Sequence, residues 1–175
     1  MALLKPLPRK FYNRDTITVV KGLLGKLLVK STSSHPIVAK IVETEACKGM
    51  DDPASDAYVS KTERNQLMFG KLGIVYVYLV YRNYHCFNAT CERESVPGAV
   101  LVRPAEVLEE LRIALKNRKT GSIKNLSNGP GKLTQPLKDA EFGFRGKNPI
   151  VSWKKSTYWI ISETLLNQKF FNDLH

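Results

Sequence analysis

Acidic residues are scarce in this chain: 16 Asp and Glu stand against 27 Lys and Arg, a formal net charge of +11 over 175 residues. Such a surplus makes a neutral polysaccharide a poor partner and points to a polyanion, nucleic acid first and an anionic membrane surface second. Cysteine is equally sparse. Cys47, Cys86 and Cys91 are an odd number without CxxC spacing, which argues against a disulfide framework. A zinc site would need them to converge with one of only 3 histidines. On a strand running from Tyr84 to Cys91, however, Cys86 and Cys91 point to opposite faces. Neither a metal nor another cofactor is expected. No apolar run reaches the length of a membrane span, and the opening MALLKPLPRKFYNRD lacks the apolar stretch of a signal peptide. The expected setting is intracellular, cytoplasmic (nucleoid) in a bacterium or nuclear in a eukaryote, with no membrane association. Repeats, low-complexity segments and linkers are also missing, so residues 1–175 are expected to form a single domain.

What is present is core-forming material, 43% hydrophobic with 25% charged. Asp15 is placed to cap a helix carrying Val19, Val20, Leu23 and Leu24, followed by the short strand KLLVK. Ile37 to Ala46 is branched and apolar and predicts one largely buried strand; the loop KGMDDPASD follows. GIVYVYLVYRNYHCFNATCE predicts a long hairpin, Ile74–Val80 with His85–Cys91, turning around Arg82 and Asn83. For Tyr78 and Asn88 to share a sheet face, this turn needs an odd number of residues, for instance with Tyr81 opposite His85. GAVLVR is a strand ending at Arg103, after which Pro104 opens a predicted helix with Val107, Leu108, Leu111 and Leu115 on its buried stripe. SNGPGKL is a turn leading into a further short helix, and IVSW with TYWIISE reads as a closing pair of strands. The fold class is α+β: a curved antiparallel sheet with flanking helices and a protruding hairpin.

Three features stand out against that frame. Glu43 and Glu45 share one face of the apolar strand, either as ion-pair partners for nearby Lys or Arg or as acid/base groups. The hairpin tip carries Tyr81, Arg82 and Tyr84 where small polar residues are usual. From Leu111 to Lys138 there are seven basic residues and no acid before Lys138, a solvated face or a phosphate-contacting surface.

In this order and at these separations, GLLGKLLV, IVETEA, DDPAS, ERNQLMFG with Gly73, VYVYLVY, CFN, PGAVLVRPAE and SNGPGKL closely resemble the alkyladenine, or 3-methylpurine, DNA glycosylase family, from Leu4 to about Gly143. The resemblance implies a monofunctional repair enzyme, a monomer on double-stranded DNA containing damaged purines. Such an enzyme flips the damaged nucleotide out of the duplex and hydrolyses its N-glycosidic bond, leaving an abasic site. It further implies that Glu45 activates the attacking water and that Arg103 holds that water and the carboxylate. By the same match Tyr78 stacks on the flipped base and Asn88 contacts its edge. Tyr81 is matched as the intercalating wedge, with Arg82 and Tyr84 beside it in the minor groove. Glu43 reads as a structural partner. SNGPGKL has Leu126 where a triphosphate-binding loop requires glycine, so Gly129, Gly131 and Lys132 read as DNA-backbone contacts, with Arg64 and Asn65 as further candidates.

Three positions depart from the family pattern. Cys47 stands where an aromatic usually sandwiches the base, Asp56 where a histidine donates to it, and Arg82 where the hairpin turn has glycine. Loss of a stacking wall and of a donor predicts a narrowed enzyme, releasing 3-methyladenine and 7-methylguanine and acting poorly on hypoxanthine or etheno-adenine. Two other readings remain: a DNA protein that binds lesions without cleaving them, and a sugar glycosidase using Glu43 and Glu45 as its acid pair.

Overall fold

Asp15 closes the first turn of a helix in the expected way: its carboxylate accepts from the Ile17 and Thr18 amides. It thereby satisfies two of the donors that a helix start leaves open. This helix, α2 (Thr16–Leu23), follows the single turn α1 (Arg9–Tyr12) and buries Val19 and Leu23. The structure, a computed structural model, describes residues 6–31, 35–80, 84–137 and 158–162. Tyr81, Arg82, Asn83 and Lys138, and the IVSW segment expected as a strand, lie outside the described residues.

Among the described residues, eight strands build two antiparallel sheets. The first has the order β7-β2-β1-β8, from β1 (Leu27–Lys30), β2 (Ile37–Ile41), β7 (Ala105–Glu109) and β8 (Tyr158–Ile161). The second has the order β3-β6-β5-β4, from β3 (Thr44–Cys47), β4 (Val75–Val80), β5 (Tyr84–Thr90) and β6 (Ala99–Val102). Each sheet gives one apolar face to a shared core: Leu28, Ile37, Ala39 and Ile41 from the first meet Val75, Val77, Phe87, Ala89, Val100 and Val102 from the second. Phe87 is 1% exposed, and its truncation to Ala would cost about 3–5 kcal/mol. With α2 and α3 (Leu111–Arg118) as the longer helices, the fold is α+β as expected.

Two expectations about local structure fail at the same place. The predicted single strand Ile37–Ala46 is two strands in different sheets, broken at Val42 and Glu43, which are both exposed. The helix predicted from Pro104 is strand β7, and α3 begins only at Leu111. Val107 and Leu111 fit a helical stripe, but Ala105 and Val107 also alternate inward with period two, and β2 offers a ladder that an isolated helix would not have. The two breaks are paired. The Arg103 amide donates to the Glu43 carbonyl at 3.1 Å and the Val42 amide to the Pro104 carbonyl at 3.3 Å. A two-stranded ribbon thus crosses from one sheet to the other, β2 with β7 before the crossing and β3 with β6 after it. Pro104 can sit at the joint because the ladder there takes its carbonyl and asks nothing of its nitrogen.

The SNGPGKL segment is likewise followed by consecutive turns to Leu137, not by a helix. Leu133 and Leu137 of those turns are fully buried in the core, so tertiary contacts hold the segment without a helical ladder.

Candidate active site

The outward face of the second sheet is organised by register. Tyr76 pairs with Asn88, Asn88 with Leu101, and Leu101 with Glu45, so one cross-strand row runs over all four strands. Direct partners in an antiparallel ladder project to the same side. Alternation adds Tyr78, Cys86, Ala99 and Cys47 to this face, and Arg103 continues it beyond β6. Tyr78 and Asn88 therefore share a face, as the odd turn requires. Their pairing is diagonal: Tyr78 lies opposite Cys86 and Val80 opposite Tyr84, leaving residues 81 to 83 as the connection.

At one end of the face stand the carboxylates. Arg103 Nη1 donates to Glu45 Oε2 at 2.6 Å, and Arg103 Nε lies 3.0 Å from Glu43 Oε1. The second contact lacks the alignment of a hydrogen bond. About half of each carboxylate is open to solvent, with side-chain exposures of 51% for Glu43 and 48% for Glu45. The ribbon crossing makes this convergence: Glu43 sits on the joint, Arg103 directly opposite it, and Glu45 two residues into β3. Glu43 lies at the break between strands, not in the middle of one as its sequence context suggests.

Asn88 occupies the centre of the row and is fully buried. Its Nδ2 donates to the Cys86 carbonyl at 3.3 Å, while Oδ1 has no hydrogen-bond partner. A buried acceptor left unsatisfied costs about 1–3 kcal/mol, so this atom is a ready receptor for a donor brought by a ligand or water. Two strand spacings separate Asn88 from Glu45, about 10 Å.

The far end is roofed by the loop between β3 and β4. Ala57 and Met68 bury against Tyr76 and Ala99, with Cys47, Leu67, Phe69 and Tyr78 packed around them. Asn65 staples this loop: its Oδ1 accepts from the Thr62 amide at 2.6 Å, and its Nδ2 donates to the Asp56 and Ser60 carbonyls. Only 1% exposed, Asn65 holds the protein to itself and is not placed to contact DNA. Arg64 stays about half exposed but lies against the protein, its guanidinium carbon 4.7 Å from the Tyr78 ring centroid and its Nη2 3.2 Å from Asp56 Oδ2. Sequence reasoning gave Arg64 to the DNA backbone and missed this pairing, because the two charges are joined only by the folded loop.

Burial, then the neighbouring carboxylates of Glu45, Asp52 and Asp56, pushes the Cys47 thiol up to about 12. Cys86 is also raised, chiefly by burial. Neither thiol is a nucleophile at neutral pH. Desolvation likewise holds the Tyr76 and Tyr78 phenols well above their ordinary range, so both rings stay neutral. Among the described residues, no three His, Cys, Asp or Glu side chains come together to hold a metal ion, and no helix is long and apolar enough to cross a membrane.

The basic turn lies beside the hairpin. Thr134 Oγ1 donates to the His85 carbonyl at 3.2 Å, and Gly131 is pressed so closely on Tyr84 that an added Cβ would sit 2.7 Å from the Tyr84 Cβ. Gly129 faces open space, and Lys132 Nζ donates to Asn128 Oδ1 at 3.0 Å. The Lys132 and Leu133 amides are spent on the Gly129 carbonyl. Tyr84 is 38% exposed at the start of β5. A cavity of about 260 Å³ between the ribbon joint and the Ile123–Asn128 segment is lined by Val42, Pro104 and Asn128 among others, and by none of Glu43, Glu45, Tyr78, Asn88 or Arg103.

Residues 10–159 match the family model described as Methylpurine-DNA glycosylase (MPG). A Clostridium perfringens protein named "Putative 3-methyladenine DNA glycosylase" is 40% identical over 174 residues, covering 94% of this chain and 82% of its own length. A protein of the same name from Desulfitobacterium hafniense is 41% identical over 143 residues, 77% of this chain and 70% of that one. A third, from Methanocella arvoryzae, is 43% identical over 128 residues, 73% of this chain and 64% of its own.

Proposed function

Because the chain belongs to the methylpurine-DNA glycosylase family, we propose that it excises alkylated purines from DNA by hydrolysis, with Glu45 activating the water. The observation that most supports this reading is the position of Glu45. Its Oε2 is held by Arg103 while the carboxylate stays half-open to solvent, in the same cross-strand row as the unsatisfied Asn88 acceptor.

In the proposed mechanism an alkylated purine, unstacked from the duplex, lies along the outward face with its ring against Tyr78 and an edge donor on Asn88 Oδ1. Water at the free Glu45 oxygen attacks the deoxyribose C1′ as the bond from C1′ to the base nitrogen breaks. The bonding pair leaves with the base, the hydroxyl stays on C1′, and one water proton passes to Glu45. Arg103 fixes the carboxylate and keeps it from turning away from the water. A purine alkylated at N3 or N7 already carries positive charge, so it departs neutral and needs no acid from the protein. From the family resemblance, Tyr81 would fill the vacated stack, with Arg82 and Tyr84 along the minor groove. Gly129 and Lys132 would approach phosphates.

The two-carboxylate sugar glycosidase is disfavoured by the same geometry. Glu43 and Glu45 hold neighbouring nitrogens of one guanidinium, leaving the arginine where a scissile sugar bond would have to lie between separated acids. Release of free alkylated base from methylated duplex is the deciding assay. The expected products are free 3-methyladenine or 7-methylguanine and an abasic strand; selective binding of the methylated duplex without either product would make the protein a lesion binder.

A further inference from the structure

Tyr78, the ring proposed to hold a flipped base, has two flat neighbours in the protein itself. Tyr76 lies alongside, with 5.8 Å between ring centroids and 24° between the planes. The Arg64 guanidinium lies over the ring at 4.7 Å, and its Nη2 reaches Asp56 Oδ2 at 3.2 Å. A base that stacks on Tyr78 must take the place of one of them. Tyr76 cannot yield, because it is 2% exposed and packed with Ala57, Met68 and Ala99. Arg64 can: its side chain is 46% exposed and that of Asp56 34%, and an ion pair so open to water holds weakly. The loop keeps the pair within reach of the ring, since the buried Asn65 side chain donates to the Asp56 carbonyl at 2.7 Å.

We propose that Arg64 is an autoinhibitory occupant of the base site: its guanidinium covers Tyr78 until a flipped base displaces it. This rests on the glycosylase reading above. The guanidinium is planar and stacks on an aromatic face much as a base does, so the protein closes its own aromatic wall. Displacement breaks the same two contacts, to Tyr78 and to Asp56, whatever base comes in. The cost is therefore uniform. It lowers the bound population of cationic and neutral flipped purines alike and leaves the choice between them to other groups. A cation–π contact and an ion pair at a half-exposed site together correspond to about 2–10-fold in affinity. DNA that presents no base at the site escapes this cost.

The test is binding of three matched duplexes, carrying 7-methylguanine, hypoxanthine or a tetrahydrofuran abasic analogue at one position, in a Glu45→Gln background that slows turnover. The affinity for each base-bearing duplex is divided by that for the abasic analogue. A phosphate contact by Arg64 acts on all three duplexes and cancels, as does any loss of folded protein within one preparation. Adding Arg64→Ala should raise both ratios by about 2–10-fold. Adding Asp56→Asn instead, which frees the guanidinium at one end, should raise the hypoxanthine ratio by less. Ratios unchanged or lowered by Arg64→Ala would overturn the inference. So would a rise confined to 7-methylguanine, which would report the uncovered Asp56 charge and not an uncovered ring. Release of 7-methylguanine by the natural protein, measured alongside, keeps the two readings apart: with release and flat ratios only the Arg64 inference fails, and without release the glycosylase reading fails and takes the inference with it.

Discussion

Along one sheet face, the carboxylate end and the end covered by the loop are built by different means. Glu43, Glu45 and Arg103 are placed by a hydrogen-bonded ribbon at its crossing between two sheets, where the backbone itself sets the spacing. Asp56 and Arg64, on an irregular loop held by side chains, chiefly Asn65 and the small cluster around Met68, come to Tyr78 and Cys47 on the sheet below it. On the proposed function, chemistry that tolerates little displacement would sit on the rigid ribbon, and selection among bases would fall to the loop end. Substitutions at the ribbon end should stop the reaction for every lesion, whereas a changed wall at the loop end should redistribute it among lesions.

The largest effect expected is from Glu45→Gln, which keeps the shape and removes the proton acceptor. Single-turnover release of 7-methylguanine should fall about 10²–10⁴-fold while DNA affinity is kept. Glu43→Gln, whose carboxylate meets Arg103 without an aligned hydrogen bond, should cost much less. Equal losses from the two would break the division of roles at the ribbon.

Arg103→Met comes next. It leaves two carboxylates side by side with no cation and frees Glu45 to rotate away from the water. Loss of a hydrogen bond to a charged group corresponds to about 10–100-fold in rate, and the loss should be the same for cationic and neutral lesions. A loss confined to one lesion class would show that the ribbon end also chooses among bases.

At the other end, Cys47→Tyr restores a flat wall near Tyr76 and Tyr78. Stacking on an added aromatic is worth about 1–3 kcal/mol per base, so hypoxanthine release should rise several-fold or more while 7-methylguanine changes little. The thiol it replaces is inert by burial. With its pKa near 12 against about 9 for an ordinary thiol, the Cys47 side chain stays protonated in the fold, and its iodoacetamide labelling at pH 8 should be far slower in native than in unfolded protein. The raised value also fixes a sign: the folded state holds this proton more tightly, so the Cys47 contribution to stability is complete below pH 9 and is lost as pH rises toward 12. Urea unfolding at pH 7 and pH 10.5 checks it. Labelling at equal rates in the native and unfolded states would place Cys47 outside the packed cluster.

Much of the ribbon end could be read from the chain alone. Alternation puts Glu43 and Glu45 on one side, and GAVLVR ends on a basic residue; the hairpin register could not be read, and Leu79, not Tyr81, lies opposite His85. The crossing itself could not be read, because the branched run from Ile37 to Ala46 carries no Gly or Pro at Val42–Glu43 to mark a change of sheet. Ala105–Glu109 fits period two and period 3.6 alike, and only its pairing with β2 decides between them. The loop end was less legible still. Nothing local in ERNQLMFG says that Arg64 faces Tyr78 or that Asn65 is spent on its own loop, since both depend on chain segments that meet only after folding.

The smallest effects on excision are expected outside both ends, where Gly129 and Gly131 separate two roles that SNGPGKL alone does not. Neither has a positive φ, so the difference lies in space and not in backbone strain. A Cβ on Gly131 would meet the Tyr84 Cβ at 2.7 Å and its ring at 3.0 Å, and neither of these is the free end of a flexible chain. Gly131→Ala should therefore push the turn off the hairpin base, at about 1–3 kcal/mol of stability. The measurement is the urea midpoint. Gly129→Ala meets nothing within 4 Å and should leave that midpoint unchanged. If phosphates approach the turn at Gly129, the added methyl should instead weaken DNA binding and flatten its salt dependence slightly. A Gly129→Ala variant with unchanged affinity at every salt concentration would remove the turn from the DNA surface and leave Gly131 as a packing residue alone.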